Sequence, residues 1–200
     1  YLGYNYGRYW GNDMVTEGNF VSPSLFSNYN ALNGFSVKGV MKINELYSLG
    51  LGYNHSWASD WELTGYTDYS NSSFEQNSLS PTFQFHNKFT KKGIFNNLKL
   101  FAEIAPVFGI SRLSLQNSIF EIYSGSDSIS GPLVSDFFSI GLKTGAGLEM
   151  SFNQVFGVFI SYTYIITLSE SAFFNEKHYS CSFFNLGLMI KLKKDKLFFD

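Results

Sequence analysis

The sequence predicts an all-β fold: a transmembrane, antiparallel, up-and-down β-barrel of about eight strands, with short periplasmic turns and long extracellular loops. Three observations predict it. Apolar and polar residues alternate with period two over eight separate segments. The polar face of those segments is made of glycine, serine and threonine rather than of long charged side chains. The connections between segments are alternately long and short.

The segments follow in order. Leu2, Tyr4, Tyr6 and Trp10 alternate with Gly3, Asn5, Gly7 and Tyr9. Phe35, Val37, Met41 and Ile43 alternate with Ser36, Lys38 and Lys42. Tyr47, Leu49, Leu51, Tyr53 and Trp57 alternate with Ser48, Gly50, Gly52, Asn54 and Ser56. Phe83, Phe85 and Phe89 are set against Thr82, Gln84, His86 and Lys88. Leu98, Leu100, Ala102, Ile104, Phe108 and Ile110 alternate with Lys99, Glu103, Gly109 and Ser111. Phe138, Ile140, Leu142, Ala146 and Leu148 alternate with Ser139, Gly141, Lys143, Gly145, Gly147 and Glu149. Phe156, Val158, Ile160, Tyr162, Tyr164 and Ile166 face away from Gly157, Ser161 and Thr163. In the last segment Phe184, Leu186, Leu188, Ile190 and Leu192 face away from Cys181, Asn185, Gly187 and Lys191.

Alternation alone fits a soluble sandwich as well as a barrel, so the polarity of the two faces decides. Glycine is poor in strands unless something approaches closely. Small residues make sense where side chains converge in the narrow interior of an eight-stranded barrel. The opposite face is large, apolar and aromatic, as lipid contact requires. An apolar band of about 25 Å crossed at a tilt near 40° takes about 10 residues per strand. Closure supplies every backbone partner that lipid cannot. Pro106 lies within the fifth segment and cannot donate to a ladder, so a bulge or an end of regular pairing is expected there, whereas Pro81 is expected at a strand start.

The long connections are expected at roughly 11–31, 58–78, 112–136 and 169–178, and the short ones near Asn44–Glu45, Lys91–Asn97 and Ser151–Gln154. An even strand number puts both termini in the periplasm. The expected division is a barrel over 1–192 and a basic periplasmic tail over 193–200.

Composition agrees. Charged residues make up 15% and aromatics 19%, with 22 Phe and 13 Tyr. A soluble domain carries about 25% charge, and the aromatic content excludes disorder. No apolar run is long enough for a membrane helix; the longest, Val155 to Leu168, is broken by Gly157, Ser161 and Thr163. A leader preceding Tyr1 is expected to have been removed or left out of this numbering. The single cysteine, Cys181, is expected to be a buried, inert thiol.

Charges on the polar face carry both signs and can pair, as buried charges must. Lys38, His86, Glu103, Lys143 and Glu149 are the candidates for an interior polar network. The long connections collect Asp13, Glu17, Asp60, Glu62, Asp68, Glu75, Glu121, Asp127, Asp136, Glu170 and Glu176 against only Arg112 and Lys177. The opposite end holds Lys91, Lys92, Lys193, Lys194 and Lys196. Solvation of the loops and repulsion of neighbours is the first reading of the acids, with divalent-cation bridging to anionic lipopolysaccharide and docking of a basic partner as alternatives; the carboxylates are too scattered for a calcium motif. Trp10, Tyr53, Trp57 and Tyr164 fall near the outer strand ends, where an interfacial aromatic girdle is expected.

No phosphate-cradling loop, nucleophile elbow or zinc spacing is present. His178-Tyr179-Ser180 places two reactive groups on one strand face. It resembles the His-x-Ser motif of the lipid A deacylase family of outer-membrane barrels, from which Cys181 and Ser182 depart.

The last strand, Asn185-Leu186-Gly187-Leu188-Met189-Ile190-Lys191-Leu192, resembles the barrel-assembly signal of outer-membrane proteins through Asn185, Gly187, Ile190 and Leu192, with Leu192 in place of a terminal aromatic. Phe101-Ala102-Glu103-Ile104-Ala105-Pro106-Val107-Phe108-Gly109 looks like a characteristic strand of the outer-membrane protein β-barrel family common in Bacteroidota, and Ile140 to Tyr162 is similar to its glycine-rich penultimate hairpin. That resemblance implies an OmpA/OmpX-like or porin-like barrel in the outer membrane of a Gram-negative cell and transfers no catalytic residue.

The expectation is therefore a non-enzymatic structural or accessory subunit of an envelope protein complex. Its expected partners are outer-membrane lipid and lipopolysaccharide, other outer-membrane or periplasmic proteins, and the barrel-assembly machinery during biogenesis. No cofactor, metal or nucleic acid is expected. The alternatives are a small-solute porin-like channel and a lipid A-modifying enzyme using His178 and Ser180.

Overall fold

The computed structural model describes residues 1–10, 32–59, 72–88, 97–115, 133–169 and 178–192. They form eight strands: β1 (Leu2–Trp10), β2 (Leu32–Lys42), β3 (Tyr47–Ser59), β4 (Ser72–Lys88), β5 (Leu98–Leu115), β6 (Leu133–Ser151), β7 (Phe156–Ser169) and β8 (His178–Ile190). Each strand pairs antiparallel with its sequence neighbours, and β1 pairs with β8 to close a barrel.

The stagger follows from the pairing. A path that crosses from Leu188 to Leu2, Val37, Tyr53, Leu79, Phe108, Ile140, Leu168 and His178 returns to β8 ten residues from where it began. Ten residues of stagger over eight strands tilt the strands by about 40°.

The polarity is the one the glycine-rich face predicts. Phe85 (40% exposed) and Leu142 (47%) point outward, as do Leu2, Tyr4, Tyr6, Leu49, Ile104 and Leu186. Asn5, Gln76, Gln84, Glu103, Glu149 and Asn185 are buried inside.

The interior differs from expectation in one respect. Small and charged residues do not fill it alone: Phe74, Phe101, Phe137, Phe159 and Phe183 are also buried there. The inward glycines make room for these rings. A Cβ on Gly3 would lie 2.8 Å from the Phe159 ring, and one on Gly147 would lie 2.7 Å from the Phe101 ring.

Three strands run further than their apolar pattern indicates. All of 72–78 belongs to β4 rather than to a connection, and β5 and β6 reach into 112–136. Beyond the apolar band a strand has no need of apolar outward residues, so the period-two signal fades before the hydrogen bonding does. Glu75, Arg112 and Asp136 are consequently strand residues, and Arg112 grips Asp136 across β5 and β6 with Nε–Oδ1 at 2.7 Å and Nη2–Oδ2 at 2.9 Å. The other acids of the long connections, with Lys177 and the lysines of the 91–92 and 193–196 segments, lie outside the described residues, as does Phe89.

The prolines also differ. Pro81 is not at a strand start but inside β4, opposite Leu51. Pro106 produces no bulge: the β5–β6 pairing runs through it to Leu142, and the β4–β5 register is the same at Leu79↔Phe108 as at Phe83↔Ile104. Pairing lapses only between those two pairs.

Two short turns at one end use the same device. Asn44 Oδ1 accepts from the backbone N–H groups of Leu46 and Tyr47, both at 2.8 Å. Asn153 Oδ1 accepts from Val155 at 2.8 Å and Phe156 at 2.7 Å. Such local side-chain bonds replace the backbone partners a tight turn cannot supply.

Candidate functional site

Glu103 on β5 is the hub of the interior. Its Oε2 accepts from Lys38 Nζ at 2.8 Å and from Gln84 Nε2 at 3.0 Å. Its Oε1 lies 3.2 Å from Lys143 Nζ, which also donates to Ser80 Oγ at 3.4 Å. Gln84 is the direct cross-strand partner of Glu103. Lys143 comes from the next strand on the other side, whereas Lys38 reaches across the lumen from β2.

Glu149 is a second, smaller centre nearer the short-turn end. Its Oε1 accepts from the Tyr1 hydroxyl at 2.6 Å and lies 3.9 Å from His86 Nδ1. The Lys38 ammonium joins the two centres, 4.7 Å from the Tyr1 ring centroid and 5.2 Å from that of Phe101. The five candidate residues thus fall into a Glu103 group and a Glu149 group. Both ammonium groups pair with Glu103, whereas Glu149 is held by the Tyr1 hydroxyl and lies beside His86 and opposite Lys99.

A cavity of about 50 Å³ lies beside Lys38, Glu103 and Lys143 and is lined further by Asn54, Asn185 and Phe183. At roughly 10–15 Å³ of such volume per molecule, it has room for a few waters and no more. Phe159 and Ile165 also line it, so the polar centre is bounded by apolar rings and branches.

The remaining sequence candidates are dispersed. Asn185 is buried, with Nδ2 3.1 Å from Ser161 Oγ. Gly187 packs against the Leu2 backbone and the Phe159 ring. Ile190 points outward, and Leu192 is exposed just past the end of β8. Tyr53 and Tyr164 are outward-facing, Trp57 is half-buried, and the side chain of Trp10 lies outside the described ones. Ser180 is paired across the sheet with Trp10 and Ile166, so neither direct neighbour supplies an acid; the side chain of His178 is outside the described set. Cys181 is a buried free thiol.

Sequence reasoning missed Tyr1, Gln84 and Ser80 as members of the network. Parity offered a signal for Gln84, which shares a face with His86. Nothing local marks Tyr1, whose role depends on a carboxylate 148 positions away.

No protein-family model matches the chain, and no curated protein matches it in sequence. Solved structures do match. The attachment invasion locus protein Ail of Yersinia pestis aligns over 94% of this chain and 93% of its own, at 14% identity and a TM-score of 0.51. Neisserial surface protein A aligns over 96% of each chain, again at 14% identity and a TM-score of 0.51. At that identity the likeness is one of fold. The architecture is that of the eight-stranded outer-membrane barrels.

Proposed function

We propose that the chain is a non-enzymatic integral protein of the bacterial outer membrane that serves as a structural or accessory subunit of an envelope protein complex. One observation carries this reading: the described barrel is apolar outside and filled inside by ion pairs and phenylalanine rings. An eight-stranded interior has room for side chains or one small ligand, and here side chains take it. That argues against bulk conduction and leaves function to the outer wall and the two ends.

In this reading the short turns and both termini are periplasmic and the long connections extracellular. Asn185, Gly187, Ile190 and Leu192 serve as the signal read by the barrel-assembly machinery. Lipid, lipopolysaccharide and neighbouring envelope proteins are the partners. Kinship with the Bacteroidota-type family rests on sequence pattern alone.

The test is mild detergent extraction from the native membrane followed by native mass analysis. Stoichiometric co-purification of other envelope proteins is expected, and a lone monodisperse barrel overturns the proposal. Discrete conductance steps in planar bilayers would favour the channel instead. Ser180→Ala is expected to leave lipid A acylation unchanged.

A further inference from the structure

The outer wall is not the same all the way round. At one level of the barrel, allowing for the stagger of ten residues over eight strands, β5, β6 and β7 present Phe108, Leu142 and Ile166 to the outside. One step further from the short turns they present Ile110 (60% exposed), Ile140 and Leu168 (61%). At the first of these levels β2, β3 and β4 instead present Asn33, His55 and Asn77. The apolar wall therefore stops lower on one side than on the other.

The polar side is organised. Tyr4 OH donates to Asn33 Oδ1 at 2.5 Å. Asn77 Oδ1 accepts from Tyr53 OH at 2.7 Å and from His55 Nδ1 at 2.9 Å. Both amide oxygens are used within the cluster. Among the described residues, neither Nδ2 group has a hydrogen-bond partner. Beside these donors lies a run of rings: Phe35 is 6.1 Å from Tyr53 and 5.3 Å from His55, and His55 is 5.3 Å from Trp57, centroid to centroid.

We propose that this face, centred on Asn33, Tyr53, His55, Trp57 and Asn77, binds the sugar headgroup of an outer-leaflet glycolipid. The chemistry is complementary. Aromatic faces accept the C–H side of a pyranose, and outward amide N–H groups donate to its hydroxyl and phosphate oxygens. A donor-bearing patch at apolar depth is costly against hydrocarbon and favourable against a headgroup drawn down to meet it. The inference rests on the reading that the barrel lies in an outer membrane with its long connections outermost.

The experiment titrates the purified full chain in detergent micelles with rough-type lipopolysaccharide and, separately, with phosphatidylglycerol, read by calorimetry. Asn33→Asp combined with Asn77→Asp keeps the oxygens that Tyr4, Tyr53 and His55 use and removes the N–H donors; the two carboxylates it adds are screened by running both titrations in high salt. Lipopolysaccharide affinity is expected to fall about tenfold, the equivalent of one good hydrogen bond, with phosphatidylglycerol unaffected and the heat-modifiable gel mobility intact. Trp57→Leu, which touches none of those bonds, is expected to weaken the same ligand and guards against a folding defect in the double variant. Unchanged lipopolysaccharide binding by both variants overturns the proposal. Equal binding of phosphatidylglycerol also overturns it, since phosphate rather than sugar would then be recognised. Absence of the native chain from the outer-membrane fraction would instead sink the underlying reading.

Discussion

Pro81 of β4 and Pro106 of β5 stand opposite one another at the single lapse in the β4–β5 ladder, because the register on either side of the lapse is unchanged. His86 N–H donates to Leu46 O on the β3 side, so even-numbered residues of β4 bond to β3 and odd-numbered ones to β5. Both missing N–H groups therefore belong to the same pair. A sheet that must carry two prolines confines the loss to one place by facing them.

Replacing both prolines by valine is expected to complete the ladder. Each restored backbone bond contributes about 0.5–1.5 kcal/mol, so the urea midpoint of the vesicle-inserted barrel should rise. Residues 81 and 106 should gain slowly exchanging amides. Rapid exchange at both positions would show that the lapse has another cause.

The Glu103 hub predicts an asymmetry between breaking and replacing the ionic cluster. Glu103→Gln leaves Lys38 and Lys143 buried without their shared partner and is expected to cost about 3–5 kcal/mol. Converting Lys38, Glu103 and Lys143 together to Met, Leu and Met should cost less, because the Glu103 cluster then holds no charge without its partner, while Glu149 keeps its Tyr1 and His86 contacts. Equal losses in the two variants, measured by urea unfolding, would contradict the hub.

Gly3 and Gly187 both flank the Phe159 ring but are expected to respond differently. A Cβ on Gly3 meets chiefly the ring itself, at 2.8 Å. Gly3→Ala should therefore cost about 1–3 kcal/mol and be largely rescued by Phe159→Leu. A Cβ on Gly187 falls on the Leu2 carbonyl oxygen and the Gly3 backbone, which cannot swing aside. Gly187→Ala should not be rescued by the same change. A double-mutant cycle for each pair reads the difference.

Arg112 and Asp136 form the best-aligned exposed ion pair among the described residues. Exposed pairs gain little from their geometry, since water and salt screen them. Arg112→Gln is expected to leave the unfolding midpoint unchanged, in clear contrast to Glu103→Gln. A drop in midpoint that persists at high salt would mean that the pair is shielded from solvent.

The alternation made strand number and polarity legible, because side-chain period two is a local property and lipid-facing Phe85, Leu142 and Ile160 leave no ambiguity about which face is greasy. Strand ends were less legible. Ser72 to Ser80 contains only two large apolar residues, Phe74 and Leu79, so nothing in its pattern separates a strand outside the apolar band from a loop. The inward side of Lys38 and Glu103 could be read from parity, but their contact could not, since Lys38 meets Glu103 across the lumen from a strand three places away. The inward phenylalanines were hidden for a related reason. Phe101, Phe159 and Phe183 interrupt the polar face, and only the glycines facing them explain how they fit.

The seam between β1 and β8 joins the first strand of the described barrel to the last. Until the final strand has docked, any partly made sheet carries two ragged margins whose amides neither hydrocarbon nor the rest of the sheet can quiet. A sheet lacking β8 would leave the margins of β1 and β7 unpaired against hydrocarbon, so the wall is self-sufficient only with all eight strands in place.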